Sequence, residues 1–128
     1  MTAKHMLAVG AVIAFALGLF MVLATQQFLE PLGLATDPKV ALLGQAQGVL
    51  LLSIGLTSWM VSSADWNGMR AVLAGNLLAQ VLSIIINLRG YMTGIVPQAV
   101  VGQVGLHVLL GAGYAFFLLR KPANAVTG

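Results

Sequence analysis

Four long uncharged runs decide what this chain can fold into. They cover residues 6–28, 40–61, 71–88 and 97–119, and all six basic and all three acidic side chains fall between or outside them. A helix needs about 20 apolar residues to cross a bilayer, and backbone groups in lipid must be hydrogen-bonded within their own segment. The sequence therefore predicts an all-α integral membrane protein, a four-helix antiparallel up-down bundle forming a single transmembrane domain over residues 1–128.

The charges indicate how this bundle lies in the bilayer. Only 7% of the residues are charged, whereas a soluble domain carries about 25%. Lys and Arg favour the cytoplasmic ends of membrane helices. The side with the termini carries four basic residues and the other side two: Lys4, Arg70, Arg120 and Lys121 against Lys39 and Arg89. We expect both termini to be cytoplasmic, with the lipid bilayer as partner and no nucleic acid, because the basic residues form no cluster.

A secretory signal peptide is the alternative reading of the first run. Lys4 precedes the apolar stretch, and residues 22–24 (Val-Leu-Ala) resemble a small-residue cleavage site. We expect the run to be retained as the first transmembrane helix of the bundle.

Small residues recur four positions apart in every span. The stripes are Gly10, Ala14 and Gly18; Gly44 and Gly48; Ala71, Gly75 and Ala79; and Gly111 and Ala115. Lipid gives helices no hydrophobic drive to associate, so close backbone approach must hold them together. We predict that the stripes are packing faces, within the chain or between copies of it.

Uncharged polar residues inside the spans form the predicted binding site. It consists of eight side chains on three spans: Gln47; Asn76, Gln80, Ser83 and Asn87; and Gln103, His107 and Tyr114. At about 100° per residue, the spacings keep the members of each span on one face. Gln47 shares a side of its span with Ser58, and Gln45 lies on nearly the opposite side.

Amide side chains both donate and accept hydrogen bonds, which suits a neutral ligand with carbonyl or hydroxyl groups. We predict a protein that binds a small neutral or amphipathic ligand, such as a quinone or a lipid, in an amide-lined pocket in the outer half of the bilayer. We expect it to form homo-oligomers or to serve as an accessory subunit of a membrane complex. Two alternatives stay open: a small oligomeric transporter or channel that uses the polar stripe, and a structural subunit whose amides only join helices.

His107 is the one histidine inside a span. No second histidine, carboxylate or cysteine lies three or four residues away, so we predict no metal cluster and expect a hydrogen bond to Gln80 or Asn76. One imidazole suffices as an axial ligand, which leaves haem or chlorophyll as a lesser alternative to quinone or lipid. The chain has no cysteine and no nucleophile and base at recognisable spacing, so the sequence favours binding over catalysis.

The layout resembles that of the DoxX-like four-helix proteins of bacterial inner membranes. The shared features are a Pro-containing loop after span one, Gly-rich spans two and four, and Arg70 opening span three. The resemblance implies the same fold and a bacterial inner membrane, and it implies no particular reaction. Some such proteins have acidic residues in spans two and four, where this chain has Gln45, Gln47, Gln103 and His107.

Overall fold

The computed structural model describes residues 2–34, 37–98 and 100–120, and the regular structure of those residues is entirely helical. The helices are α1 (Ala3–Leu23), α2 (Thr25–Leu29), α3 (Pro38–Val61), α4 (Trp66–Met92) and α5 (Val100–Leu119), with a 3-10 turn at Glu30–Leu32 after α2. Helices α1, α3, α4 and α5 are each long and apolar enough to cross a membrane. The predicted all-α class and the four candidate spans are confirmed.

Acidic side chains fix where two of the long helices begin. Asp37 caps α3 by accepting a hydrogen bond from the Lys39 backbone N–H at 2.8 Å. Asp65 caps α4 by accepting from the Gly68 N–H at 2.9 Å. A cap oxygen satisfies one of the N–H groups that the first helical turn leaves without a partner. Both helices therefore start at an acid that lies just outside an apolar run.

Helix α4 is longer than the uncharged run that predicted it. It contains 27 residues and is about 40 Å long at 1.5 Å per residue, although 71–88 is the shortest of the four runs. Arg70 and Arg89 both lie inside the helix, near its ends. Long arginine side chains can reach the membrane surface while their backbone stays helical. An uncharged run therefore marks the apolar part of a membrane helix and not its full length.

The first predicted span, 6–28, is two helices and not one. The backbone at Ala24 leaves the helical region, with φ −129° and ψ 45°. Beside it, the Thr25 hydroxyl donates a hydrogen bond to the Met21 carbonyl at 2.6 Å, a local bond that competes with regular helix geometry. The chain then continues as the five-residue α2, which places Thr25 and Leu29 against Gly44 of α3.

Helices α1 and α3 pack with their backbones in close approach. A Cβ added to Gly48 would lie 2.9 Å from the Gly18 carbonyl oxygen, and one added to Gly18 would lie 2.8 Å from the Gly48 oxygen. Further along, a Cβ on Gly55 would lie 3.2 Å from the Ala11 oxygen. Gly18 thus meets Gly48, and the earlier Ala11 meets the later Gly55, so α1 and α3 run antiparallel. The glycines predicted as packing faces in these two spans are confirmed, and we call these helices the α1–α3 pair.

Helices α4 and α5 form a second pair, the α4–α5 pair. Gly111 of α5 faces Gln80 of α4, whose Cβ would lie 3.4 Å from a Cβ added to the glycine. The small-residue stripe of α4 behaves differently, because no atom lies within 4 Å of the Cβ position of Gly75 and Ala71 is exposed. Within one chain, Ala71 and Gly75 are therefore not packing positions, whereas Ala79, the third residue of the stripe, is half-buried.

The two pairs meet in a hydrophobic core at one end of the molecule. The core residues are Met6, Leu7, Met69, Leu73, Leu110 and Tyr114. We call the end that holds the start of α1, the start of α4 and the end of α5 the terminal end, and the other the loop end. The buried residues of α4 are Met69, Leu73 and Asn76, all in its first half, and those described in α5 are Leu110, Gly111 and Tyr114. The loop-end halves of α4 and α5 are therefore not covered by the α1–α3 pair.

Candidate functional site

Three helices each carry two polar residues that lie eleven positions apart on one face. The couples are Ser58 and Gln47 on α3, Asn76 and Asn87 on α4, and Tyr114 and Gln103 on α5. Eleven residues make about three turns, so the two side chains point within roughly 20° of each other and lie about 16 Å apart along the axis. We call Ser58, Asn76 and Tyr114 the closed layer, and Gln47, Asn87 and Gln103 the open layer.

The closed layer lies inside the bundle. Ser58 is 1% exposed, Asn76 8% and Tyr114 3%. The Asn76 amide donates from Nδ2 to the Ser58 hydroxyl at 3.0 Å, which ties α4 to α3. Tyr114 packs in the core with its hydroxyl against Gly10, where an added Cβ would overlap it. No buried side-chain nitrogen or oxygen among the described residues lacks a hydrogen-bond partner. The closed layer therefore holds the two helix pairs together.

Gln80 and His107 connect α4 to α5 between the two layers. His107 Nδ1 lies 2.6 Å from Gln80 Oε1, and the contact is partly buried. A carbonyl oxygen only accepts, so His107 donates from Nδ1 and its Nε2 is left as an acceptor in the neutral ring. The predicted hydrogen bond between this histidine and Gln80 is confirmed.

The open layer has the same chemistry but a different environment. Asn87 and Gln103 are half-buried, as is the neighbouring Ser83, and Gln47 is exposed. The side-chain hydrogen bonds that join different helices in the described residues are those of Asn76 and His107, and neither involves the open layer. Among the described residues, the amides of the open layer therefore join no other helix, and their donors and acceptors suit a carbonyl or hydroxyl group.

The side chains of the open layer are half-buried or exposed, so none of them is buried in the protein core. Two concavities of the described surface lie elsewhere. One of about 270 Å³ lies beside Ala8, Val9, Val12 and Ile13 of α1, and one of about 390 Å³ lies at the terminal end. Seven of the eight predicted residues therefore lie on the α4–α5 pair, and the eighth, Gln47, lies on α3.

Gln45 is a useful comparison for Gln47, because it is the same residue type on the same helix but points in nearly the opposite direction. Both glutamines are exposed on α3, and they point about 200° apart around the helix axis because they are two residues apart. Only Gln47 shares the face of Ser58, which contacts α4. Two residues of this region lay outside the predicted site. The spacing of eleven residues from Gln47 could have identified Ser58. Nothing in the sequence indicates that Gly10 contacts the Tyr114 hydroxyl.

The described residues contain no group of three or more His, Cys, Asp or Glu that could hold a metal ion. The Nε2 atom of His107 is the one that haem or chlorophyll would coordinate, and that alternative stays a prediction. The neighbouring groups, Gln80 and the open layer, are neutral hydrogen-bonding side chains, which fit an organic carbonyl or hydroxyl directly.

Comparison with known proteins gives this chain no family. No protein-family model matches it, and no curated protein or solved structure matches it either. The resemblance to DoxX-like proteins stays a prediction.

Proposed function

We propose that this protein binds a small neutral, amphipathic ligand, a quinone or a lipid, at the open layer between its two helix pairs. The observation that carries the proposal is the contrast within each eleven-residue couple, in which one side chain is buried and the other is half-buried or exposed. Polar side chains are disfavoured in lipid unless they are paired. A ligand that offers carbonyl or hydroxyl groups to Gln47, Asn87 and Gln103 is stabilised by satisfying them.

The surrounding residues suit a ligand with one polar and one apolar part. Carbonyl oxygens of the ligand would accept hydrogen bonds from the Asn87 and Gln103 amides, and a hydroxyl could donate to Nε2 of His107. Ile54, seven residues from Gln47 and on the same face of α3, is 39% exposed and offers an apolar contact. No charged residue belongs to either layer, which favours a neutral ligand over an ion.

The proposal includes an orientation. We place the four spans in an antiparallel up-down bundle with both termini cytoplasmic, in a bacterial inner membrane. This is supported by the opposite sequence order of the contacts in each pair and by Lys4, Arg70 and Arg120 at the terminal end. The open layer then lies in the outer half of the bilayer, where the ligand would enter sideways from the lipid.

A closed inner end favours a binding site over a transport pathway. A solute that left the open layer toward the terminal end would have to pass Leu7 and Leu73, each 0% exposed, and Tyr114. The structural alternative has its own support in the Asn76 to Ser58 bond, and we assign that role to the closed layer alone. Association with further copies or with a membrane complex remains part of the proposal, and native mass spectrometry of the extracted protein tests it.

The experiment is equilibrium binding of a short-chain quinone to the protein in lipid nanodiscs. Gln47→Leu and Gln103→Leu should each weaken binding about two- to tenfold, the equivalent of one lost hydrogen bond. Gln45→Leu is the matched control, because it makes the same change at an exposed position of the same helix, and it should leave binding unchanged. Equal weakening by Gln45→Leu and Gln47→Leu, or no weakening by any variant, would contradict the quinone proposal.

A lipid ligand is tested in the same variants by native mass spectrometry. A lipid at the open layer should be retained by the wild-type chain and by Gln45→Leu, and lost from Gln47→Leu and Gln103→Leu. Retention that is the same in all four proteins would place the lipid elsewhere and remove this form of the proposal.

A further inference from the structure

A groove at the terminal end has a composition unlike that of the open layer. It has a volume of about 390 Å³ and is lined by Trp66, Arg70, Ala74, Leu118 and Leu119. These residues belong to the first turns of α4 and the last turn of α5, so the groove lies between two membrane helices at the level where they leave the apolar run. We call it the terminal groove.

The lining of the terminal groove contains one charged side chain, Arg70, and is otherwise largely apolar. Arg70 is exposed, and the neighbouring acid, Asp65, already accepts a hydrogen bond from the Gly68 backbone. Ala74 lies one turn deeper in the membrane than Arg70, and Leu119 is 83% exposed. Trp66 is half-buried and packs against the core. A groove with a charged residue at its rim and apolar residues below it suits an amphipathic ligand that enters from the bilayer.

The charge of the terminal end is positive. Its described charged residues are Lys4, Arg70 and Arg120 against Asp65. The Arg120 guanidinium lies over the Phe116 ring of its own helix, 4.5 Å from the centroid, and it is not part of the groove lining. Among the described residues, Arg70 is therefore the cation that the groove presents to a ligand.

We infer that the terminal groove binds a phospholipid with an anionic headgroup. An arginine offers paired N–H donors that match a phosphate, and a tryptophan ring favours the membrane–water interface. Basic pockets between membrane helices bind anionic lipid headgroups by this combination. The acyl chain lies against Ala74 and Leu118. The groove is at the opposite end of the bundle from the open layer, so this inference does not depend on the proposed function.

The test uses the indole of Trp66 as the probe. The chain has two tryptophans, so Trp59→Phe leaves Trp66 as the only one, and its fluorescence is recorded in nanodiscs of phosphatidylcholine that contain increasing fractions of a brominated lipid. Brominated phosphatidylglycerol should half-saturate the quenching at about a fivefold lower fraction than brominated phosphatidylcholine does, as expected for roughly one favourable charge contact.

Three variants in this background decide the outcome. Arg70→Gln should abolish the preference for phosphatidylglycerol. Arg120→Gln makes the same charge change at the same end and should keep the preference, because its side chain lies on Phe116. Ala74→Leu keeps all charges but fills the groove, and it should also abolish the preference. Circular dichroism of each variant establishes that the bundle is folded.

Several results would overturn the inference. A preference that survives Arg70→Gln would remove Arg70 from lipid binding, and equal loss in Arg70→Gln and Arg120→Gln would reduce the effect to general surface charge. Displacement of the lipid by millimolar glycerol phosphate would show that the groove recognises free phosphate esters and not a membrane lipid.

Discussion

Asn76 and Asn87 are the same residue type on the same face of the same helix, yet their environments differ. Asn76 is 8% exposed and donates a hydrogen bond to Ser58, whereas Asn87, three turns away, is half-buried and has no partner on another helix among the described residues. The same change occurs between Tyr114 and Gln103 and between Ser58 and Gln47. Where neighbouring helices are in contact, a polar residue of a membrane helix can bond to the next helix. Where the helices are not in contact, the same residue type can bind another molecule.

The contact between the pairs ends where the core ends. Leu7 and Leu73 are completely buried at the terminal end, and Gly10 leaves room there for the Tyr114 ring. No residue of α4 beyond Asn76 is buried. Variants at matched positions in the two halves therefore test whether the two halves differ in stability and in binding.

The largest difference is expected between two leucines of α4. Leu73→Ala should lower the free energy of unfolding by about 2 to 3 kcal/mol, because it removes a buried side chain and leaves a cavity in the core. Leu82→Ala should have an effect under about 0.5 kcal/mol, because Leu82 is 49% exposed and its surroundings in the membrane are lipid. Unfolding by sodium dodecyl sulfate in mixed micelles, followed by circular dichroism, measures both. Equal losses would mean that the core does not separate the two halves.

Two glycines give the next largest contrast. Gly10→Ala should cost about 1 to 2 kcal/mol, because the new methyl group collides with the Tyr114 hydroxyl and forces a backbone shift. Gly75→Ala should be neutral or slightly stabilising, since nothing lies within 4 Å of its Cβ position. The same unfolding titration compares them. A stable Gly10→Ala protein would show that Tyr114 is not confined between the two helix pairs.

The Asn76 to Ser58 hydrogen bond should give a smaller, measurable coupling. A double-mutant cycle with Asn76→Ala and Ser58→Ala should show a coupling free energy of about 0.6 kcal/mol, the average for hydrogen bonds between membrane helices. The cycle with Asn87→Ala and Gln47→Ala should show no coupling. A coupling of similar size in both cycles would mean that the open layer is closed in the membrane.

The smallest effect on stability is expected in the open layer itself. Asn87→Leu and Gln103→Leu should change the free energy of unfolding by less than about 0.5 kcal/mol, because their amides have no partner on another helix among the described residues. The same variants should lose ligand in the binding assays. Stability that falls together with binding would assign these residues to helix association.

The helices and their polar faces could be predicted because both follow from local periodicity. Uncharged runs locate the spans, and spacings of three and four residues place Asn76, Gln80, Ser83 and Asn87 on one face of α4. The break at Ala24 could not be predicted, since it accompanies a hydrogen bond from Thr25 to Met21 that a hydrophobic run does not reveal. The full length of α4 could not be predicted from the uncharged run, because Arg70 and Arg89 interrupt the apolar pattern and not the helix.

The sequence predicts which helix face each residue of the candidate site lies on, but it does not predict how deeply each side chain is buried. Periodicity shows that Gln47 and Ser58 point the same way, and it contains no information on the distance to the next helix. Ser58 is 1% exposed and Gln47 is exposed because α4 stays close to α3 at one level and not at the other. That separation depends on long-range packing, such as Gly10 against Tyr114.

Cysteine labelling along α3 can distinguish the open layer from the closed layer, because the chain has no native cysteine. Single variants Gln45→Cys, Gln47→Cys and Ser58→Cys are reacted in nanodiscs with a membrane-permeable maleimide, with and without quinone. We predict rapid labelling of Gln47→Cys that quinone slows, rapid labelling of Gln45→Cys that quinone does not change, and almost no labelling of Ser58→Cys. Labelling of Ser58→Cys as fast as that of Gln47→Cys, or quinone protection of Gln45→Cys equal to that of Gln47→Cys, would contradict the account.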